Sequence, residues 1–294
     1  MLVLISAACT LPNAPSAGAD PTSTAPVSGE PAATTPASTR QLTRVVVIVL
    51  ENHEYSSIIG NSCCAYLNAL AQKGTLFTNY HAITHPSLPN YLSMTSGSPQ
   101  GKTGTDNTSP LINAPNLFAQ LSARGIPWHA YEQTMPAPCY RGAFAGTGPG
   151  QYALKHDPAM MYQSISGTKL CQNAIPWTGV PASLPRFSFI TPNECDDMHS
   201  CSPSVADAWV KNAVPGLLNR VGPHGRILIT WDEGTTNVGG GGHIATILIG
   251  PGVPTSRVGT QLSHYSLLAS LELLFHVPRL EGARRAPPLP LFLP

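Results

Sequence analysis

The chain has 294 residues, of which only 11% are charged, and its formal net charge is +1. It has no basic patch interleaved with aromatic residues, which excludes the usual nucleic-acid-binding classes. A chain of this length can bury a sizeable core, and α/β folds of about 250 residues often form a single domain. The 30 prolines and 26 glycines predict many loops.

The N-terminal 40 residues differ in composition from the rest of the chain. Residues 1–9, MLVLISAAC, resemble the end of a secretory or lipoprotein signal, with Cys9 as the residue that would carry a lipid. An incidental cysteine in a disordered terminus is the alternative. Residues 10–40 are rich in Pro, Ala, Ser and Thr, which predicts a disordered tether. The folded domain is therefore expected at 41–294, secreted or anchored to the cell envelope, with membrane contact only through Cys9.

Six further cysteines agree with export, because an oxidising compartment permits disulfides. Cys195–Cys201 is the first predicted pair, since it closes a short acidic loop, and Cys139–Cys171 is the second. Cys63 and Cys64 would remain as an adjacent pair. A zinc site made of cysteines is disfavoured, because none has the usual two-residue spacing.

Apolar runs and helical patterns alternate along the chain, which is typical of an α/β fold. The runs predict strands at 44–50, 75–80, 127–131, 186–190, 227–231 and 244–249. Periodicity, prolines and glycines predict helices at 64–73, from 91 onward, at 115–124, 204–218 and 263–275. Residues 133–184 have no regular pattern, as expected of an active-site loop region.

Polar residues lie at the ends of four of these predicted strands. The clusters are Glu51 with Asn52; Asp196, Asp197 and His199; Asp232 with Glu233; and His243. Loops at the carboxyl edge of a parallel sheet can bring such groups together. Gathered carboxylates would repel one another unless a cation lies among them.

These clusters predict a divalent metal ion, with calcium, magnesium, manganese and zinc as alternatives. The expected oxygen ligands are Glu51, Asn52, Asp232 and Glu233. A second set that includes nitrogen consists of Asp197, His199 and His243.

Ser87 is the candidate nucleophile. It lies in the proline-flanked turn HPSLPNY at an expected helix N-terminus, where backbone N–H groups and the helix dipole favour an anion. A metal ion can activate a serine hydroxyl by stabilising its alkoxide. Asn90, one helical turn further on, is expected to donate to a phosphoryl oxygen in the transition state. His85 contacts either the substrate or only its own loop.

Seven motifs together resemble the bacterial phosphoesterase family of the alkaline phosphatase superfamily. They are ENHEY, HPSLPNY, KHDP, PNECDDMHSC, TWDEG, GHIATILIGPG and SHYSLL. The family includes secreted acid phosphatases and phospholipases C, and the likeness is greatest to short secreted acid phosphatases of the mycobacterial type. It extends from about residue 44 to residue 278.

The resemblance implies a doubly wound, mainly parallel sheet sandwiched by helices, in a single domain. It also implies Ser87 as nucleophile, the four metal ligands above, and Asp197, His199 and His243 around the phosphate or a second metal. Lys155 and His156 match a family element that contacts substrate. The chain departs from the family pattern at His53 and at Ser200, which leaves the contacts around the inner ligands open.

The sequence therefore predicts an exported, metal-dependent acid phosphatase that acts on small phosphorylated substrates through a phosphoserine. The alternatives are a phospholipase C or other phosphodiesterase, and a non-catalytic surface lipoprotein that binds anions. No oligomeric state is predicted.

Overall fold

The computed structural model describes residues 44–293, and the predicted signal segment and tether lie outside this range. Its centre is an eight-stranded sheet. In chain order the strands are β1 Val45–Leu50, β2 Thr75–Phe77, β3 Trp128–Gln133, β4 Ala174–Trp177, β5 Phe187–Thr191, β6 Arg226–Trp231, β7 Thr246–Ile249 and β8 Ser256–Val258. Across the sheet their order is β8-β2-β7-β6-β1-β5-β3-β4.

The sheet is parallel except for β7. This strand pairs antiparallel with both β6 and β2, whereas the other neighbouring pairs run parallel. The sheet is thus mainly parallel, as predicted. His243 precedes β7, and because this strand is antiparallel, its beginning lies at the edge where β1 and β6 end.

Within residues 44–293, seven α-helices accompany the sheet. They are α1 Tyr55–Ile58, α2 Ala65–Lys73, α3 Ser87–Ser96, α4 Leu117–Ala123, α5 Gln163–Ser166, α6 Pro203–Val221 and α7 His264–Leu274. The helices form two groups. In one group α2 packs against α6, and α6 also contacts β1 and β6. In the other group α3 packs against α4 and α7. All six residues of β1 are buried between these layers. The predicted α/β sandwich in a single domain is confirmed.

Two regions differ from the sequence-based expectation. The run at 75–80 divides into β2 and a short strand, Tyr80–His81, which pairs with Leu262–Ser263. Residues 133–184 supply the edge strand β4, the small hairpin of Phe144–Ala145 with Tyr152–Ala153, and α5. They also contain short 3-10 helices, and others lie elsewhere in the chain. The 3-10 helices are Ser62–Cys64, Gly148–Gly150, Leu154–His156, Ala159–Met161, Lys169–Asn173 and Glu281–Arg284.

Both predicted disulfides, Cys139–Cys171 and Cys195–Cys201, are present. The first links the irregular region to the segment before β4, and the second closes the loop after β5. Cys63 and Cys64 are not bonded to each other, although their Sγ atoms lie 3.1 Å apart.

The ends of β1, β5 and β6 are held together by backbone hydrogen bonds. The N–H of Glu51 donates to the carbonyl of Asp197 over 2.8 Å, and the N–H of Asp232 donates to the carbonyl of Leu50 over 2.9 Å. The side chains that follow these strands therefore meet over one edge of the sheet. Among residues 44–293, no helix is long and apolar enough to cross a membrane.

Candidate active site

Glu51 is the centre of the site. Its side chain is fully buried, and its two oxygens accept hydrogen bonds from two hydroxyl groups and lie near one imidazole. Oε2 accepts from the Ser87 hydroxyl over 3.0 Å and lies 3.3 Å from His156 Nε2, and Oε1 accepts a short hydrogen bond from the Tyr91 hydroxyl. Burial raises the pKa of Glu51 well above its usual value, and the nearby Asp232 and Asp197 raise it further.

His156 connects Glu51 to Asp197. Its Nδ1 lies 3.6 Å from Asp197 Oδ2, and its ring stacks on Tyr91 with centroids 5.4 Å apart. Burial lowers the pKa of His156 well below its usual value, and Lys155 and His199 act in the same direction. The imidazole is therefore neutral and can offer a lone pair.

Ser87 is the first residue of α3, as the sequence indicates, and its side chain is buried. Pro86 precedes the helix in an extended conformation, and the backbone N–H of Leu88 donates to Asp106 Oδ1 over 2.9 Å. One N–H of the first helical turn is thus already occupied by a carboxylate. The serine hydroxyl is positioned by Glu51 at the end of β1.

The side chain of Asn90 is hydrogen-bonded to the loop that precedes α3. Its Oδ1 accepts from the N–H groups of Ile83 and Thr84, and its Nδ2 donates to the carbonyls of Thr84 and Pro86. These four bonds use the full capacity of the amide. Asn90 therefore holds the loop before Ser87, and its predicted donation to a phosphoryl oxygen would require one of these bonds to break.

Asp232 and Glu233 follow β6 and face different partners. Asp232 Oδ1 accepts from the N–H of Asn52 over 3.0 Å, while its buried Oδ2 has no hydrogen-bond partner. Glu233 Oε2 lies 2.7 Å from Nδ1 of His85, whose Nε2 is 2.8 Å from the carbonyl of Thr236. Burial raises the pKa of Asp232 to about 6 and that of Glu233 to about 9.

Asn52 lies beside Asp232 in a left-handed conformation, with φ 27°. This unusual backbone conformation directs its N–H toward the Asp232 carboxylate, so the backbone of Asn52 helps to orient that carboxylate.

His243 is held by other parts of the fold. Its ring stacks on Tyr55 with centroids 4.5 Å apart, and Nε2 lies 3.0 Å from the carbonyl of Thr78. These contacts belong to α1 and to the segment after β2, and they do not join His243 to the Glu51 cluster. His264 is buried, and its Nε2 lies 2.5 Å from the carbonyl of Asp232, so it supports the end of β6.

Lys155 and His199 form the outer part of the site. Lys155 Nζ lies 3.2 Å from both Asp106 Oδ2 and His199 Nε2. Partial burial lowers the pKa of Lys155, but the negative charges of Glu51, Asp106 and Glu194 have the larger effect. The pKa of Lys155 is therefore raised. Burial and Lys155 lower the pKa of His199. The site therefore contains one permanent cation next to a neutral imidazole.

The donor set fits a metal ion. One ligand atom from each of Glu51, His156 and His199 lies within 4.8 Å of the other two. Three buried atoms nearby have no hydrogen-bond partner among residues 44–293, namely His156 Nε2, Asp197 Oδ2 and Asp232 Oδ2. Buried acceptors are rarely left unpaired, and a cation would satisfy them and permit the carboxylates to ionise. The nitrogen donors in this cluster come from His156, predicted as a substrate contact, and from His199.

Two residues of the site received no role from the sequence. Tyr91 lies within the HPSLPNY motif, but a tyrosine on the apolar face of a helix is more often a core residue. The sequence around Tyr91 therefore does not predict its hydrogen bond to Glu51. Asp106 lies in a turn-rich segment 19 residues after Ser87, and only the fold brings it to Leu88 and Lys155. Glu132 is also buried, and its Oε1 accepts from the Thr191 hydroxyl over 3.5 Å.

Comparisons with known proteins identify the family of the chain. The model of the "Phosphoesterase family" matches residues 61–278. The chain is 31% identical over 255 residues to a phosphatidylinositol-3-phosphatase of Mycobacterium tuberculosis, which covers 83% of this chain and 81% of the relative. It is also 31% identical to a phosphate-repressible acid phosphatase of Penicillium chrysogenum, over 81% of this chain but 60% of that longer protein.

The fold is shared with a crystal structure from Vibrio parahaemolyticus described as a protein in the alkaline phosphatase superfamily. The two align with a TM-score of 0.56 and 11% identity, over 85% of this chain and 71% of the other. The chain thus belongs to the phosphoesterase family, has the fold of the alkaline phosphatase superfamily, and is a phosphoric ester hydrolase.

Proposed function

We propose that the protein is a metal-dependent acid phosphatase that cleaves phosphomonoesters through a phosphoserine at Ser87. The observation that carries the proposal is the buried contact of the Ser87 hydroxyl with Glu51, within a cluster of partly unsatisfied carboxylates and imidazoles. Fungal relatives named acid phosphatases support the choice of monoesters.

The residues around Ser87 have distinct roles in this proposal. Glu51 Oε2 is the nearest acceptor for the serine proton, and Tyr91 fixes the orientation of that carboxylate. Ser87 Oγ forms a bond to phosphorus while the bond from phosphorus to the ester oxygen breaks. The Lys155 ammonium offsets negative charge on the phosphoryl oxygens, since phosphoryl transfer depends mainly on positioning and charge compensation. Water then hydrolyses the phosphoserine and releases phosphate.

Glu51, His156, Asp197, His199 and Asp232 are the residues that would hold a metal ion. Such an ion supplies Lewis-acid stabilisation of negative oxygen at the reacting centre. Asn52 and Glu233 remain predicted ligands, although Glu233 would first have to leave His85. The two disulfides are typical of exported proteins, and we propose an extracytoplasmic location on that basis.

The test is a set of parallel assays on an aryl phosphomonoester, an aryl phosphodiester and phosphatidylcholine, with and without a chelator. We expect the monoester to be hydrolysed most rapidly and the chelator to abolish that activity until a divalent ion is restored. Ser87→Ala should remove turnover, whereas Ser96→Ala, a buried serine at the other end of α3, should preserve it. Faster cleavage of phosphatidylcholine would favour the phospholipase C alternative.

A further inference from the structure

A cavity of about 420 Å³ lies beside the candidate active site and has no role in the chemistry described above. Lys155 and His199 form its inner part, so it opens directly on the Glu51 cluster. The rest of its lining comes from three regions, which are the turn around Thr108, the hairpin that carries Phe144 and the loop after β5 that carries Glu194. Its volume lies within the range of small-molecule pockets. A phosphoryl group held at Lys155 would place its leaving group in this cavity.

The walls of the cavity carry several groups that bind hydroxyls. Glu194 is buried, and its Oε2 accepts from the Gln151 amide over 2.6 Å, which fixes the carboxylate and leaves Oε1 to accept from a ligand. Thr108, which has a hydroxyl group, and Asp106 also line the cavity. An acyl chain or a plain aromatic leaving group would leave these polar groups without water or partners, which is costly.

The rim of the cavity carries an exposed aromatic ring. Phe144 is 51% exposed and is one of the few large apolar side chains in the described range that face solvent. Its backbone pairs with Ala153 in the hairpin, and its carbonyl accepts from the Tyr140 hydroxyl over 2.8 Å. These contacts fix the backbone that carries the ring. The face of an aromatic ring carries partial negative charge, and the C–H face of a sugar or polyol packs well on it.

We propose that this cavity, lined by Thr108, Phe144, Gln151 and Glu194, binds the leaving group of the substrate, and that this group is a sugar or another cyclic polyol. The inference rests on the proposed phosphomonoesterase activity. Hydroxyl groups of the polyol would donate to Glu194 and Thr108 while one ring face lies on Phe144. These residues determine specificity and take no part in bond breaking.

The test compares glucose 6-phosphate with hexyl phosphate, because both are primary alkyl phosphates and only one has hydroxyl groups. We expect kcat/KM of the wild-type protein to favour glucose 6-phosphate about tenfold or more, the order of one or two well-made polar contacts. Phe144→Ala and Thr108→Val should each reduce this preference several-fold with hexyl phosphate turnover nearly unchanged, and Glu194→Gln should lower the rate on glucose 6-phosphate more than the rate on hexyl phosphate. Glu194→Gln keeps an acceptor for Gln151, and Leu273→Ala, another exposed apolar residue, serves as the matched control.

Equal rates for the two esters, or a preference for hexyl phosphate, would overturn the proposal. So would an equal loss for both esters in the three variants. If even an aryl phosphate is not hydrolysed, the proposed activity fails, and calorimetry on Ser87→Ala then tests the cavity alone. Tighter binding of glucose 6-phosphate than of hexyl phosphate would uphold the polyol site, and equal or absent binding would refute it.

Discussion

At the residue scale, the site is defined by buried carboxylates that have too few partners. Glu51 and Asp232 are both fully buried, and burial raises the pKa of each. Glu51 is oriented by hydroxyl donors from Ser87 and Tyr91, while Asp232 keeps one oxygen unpaired. A cation is the simplest partner for such a group, because it offsets the charges that burial disfavours.

Tyr91→Phe tests the role of the hydroxyl on Glu51. The variant leaves Glu51 Oε1 unpaired in a buried position, which should cost about 1–3 kcal/mol of stability. It should also reduce kcat, because Glu51 loses its fixed orientation toward Ser87. Tyr162→Phe is the matched control, since Tyr162 is buried and its hydroxyl contacts Thr95, which lies on α3 as Tyr91 does. A comparable loss of kcat in both variants, measured on an aryl phosphate, would argue against a specific role of Tyr91.

Single residues show which parts of the site could be predicted from sequence. Glu51, Ser87 and Asp232 each follow a strand or begin a helix, and such positions can be located from apolar runs and prolines. Asn90 has the residue type of a transition-state donor, but the saturation of its amide depends on the path of the loop before it. Asp106 has neither periodicity nor a motif around it, so only the folded chain shows its contacts.

At the element scale, the loop from Ile83 to Pro86 and the first turns of α3 form one unit held by Asn90. Asn90→Ala removes four hydrogen bonds from this unit. At about 1 kcal/mol each, the free energy of unfolding should fall by about 3–4 kcal/mol, and kcat should fall as Ser87 loses its position. Ser87→Ala should lose activity with little change in melting temperature. If the Asn90→Ala protein is inactive but as stable as the wild type, the result would instead favour a direct contact between Asn90 and the substrate.

The direction of β7 shows a limit of prediction at this scale. The apolar run at 244–249 indicates a buried strand, but such a run contains no information about the direction of its neighbours. The glycine-rich turn between β6 and β7 is the local sign of an antiparallel connection. Gly240 and Gly242 have φ of 112° and 97°, and a Cβ at Gly240 would lie 2.3 Å from the carbonyl oxygen of Ile83. This turn therefore packs on the segment before Ser87.

At the scale of the whole molecule, buried carboxyl groups should make the metal-free protein more stable in mild acid. Burial raises the pKa of Glu272 from 4.5 to about 7. The folded state thus retains a proton that the unfolded state releases near pH 4.5, so this contribution is present below pH 4.5 and is lost as the pH rises through 7.

We expect the free energy of unfolding to fall between pH 5 and 7 with chelator present, and Glu272→Gln to reduce that slope. The contribution of one group is at most about 1.4 kcal/mol per pH unit. Glu281→Gln, which changes an exposed carboxyl group nearby, is the matched control and should keep the wild-type slope. Denaturant unfolding at several pH values gives the measurement. An unchanged slope in Glu272→Gln would contradict the assignment.

The arrangement of Glu51, Ser87, His156 and Lys155 over the sheet edge has one central consequence, which is that Ser87 carries the phosphoryl group during turnover. The most direct measurement is rapid acid quenching of the metal-loaded protein with a labelled aryl phosphate, followed by peptide mapping. We predict that the label appears on the peptide that contains Ser87, at up to one phosphoryl group per chain, and that it is absent from Ser87→Ala. Label on another residue, or wild-type turnover by Ser87→Ala, would contradict the account.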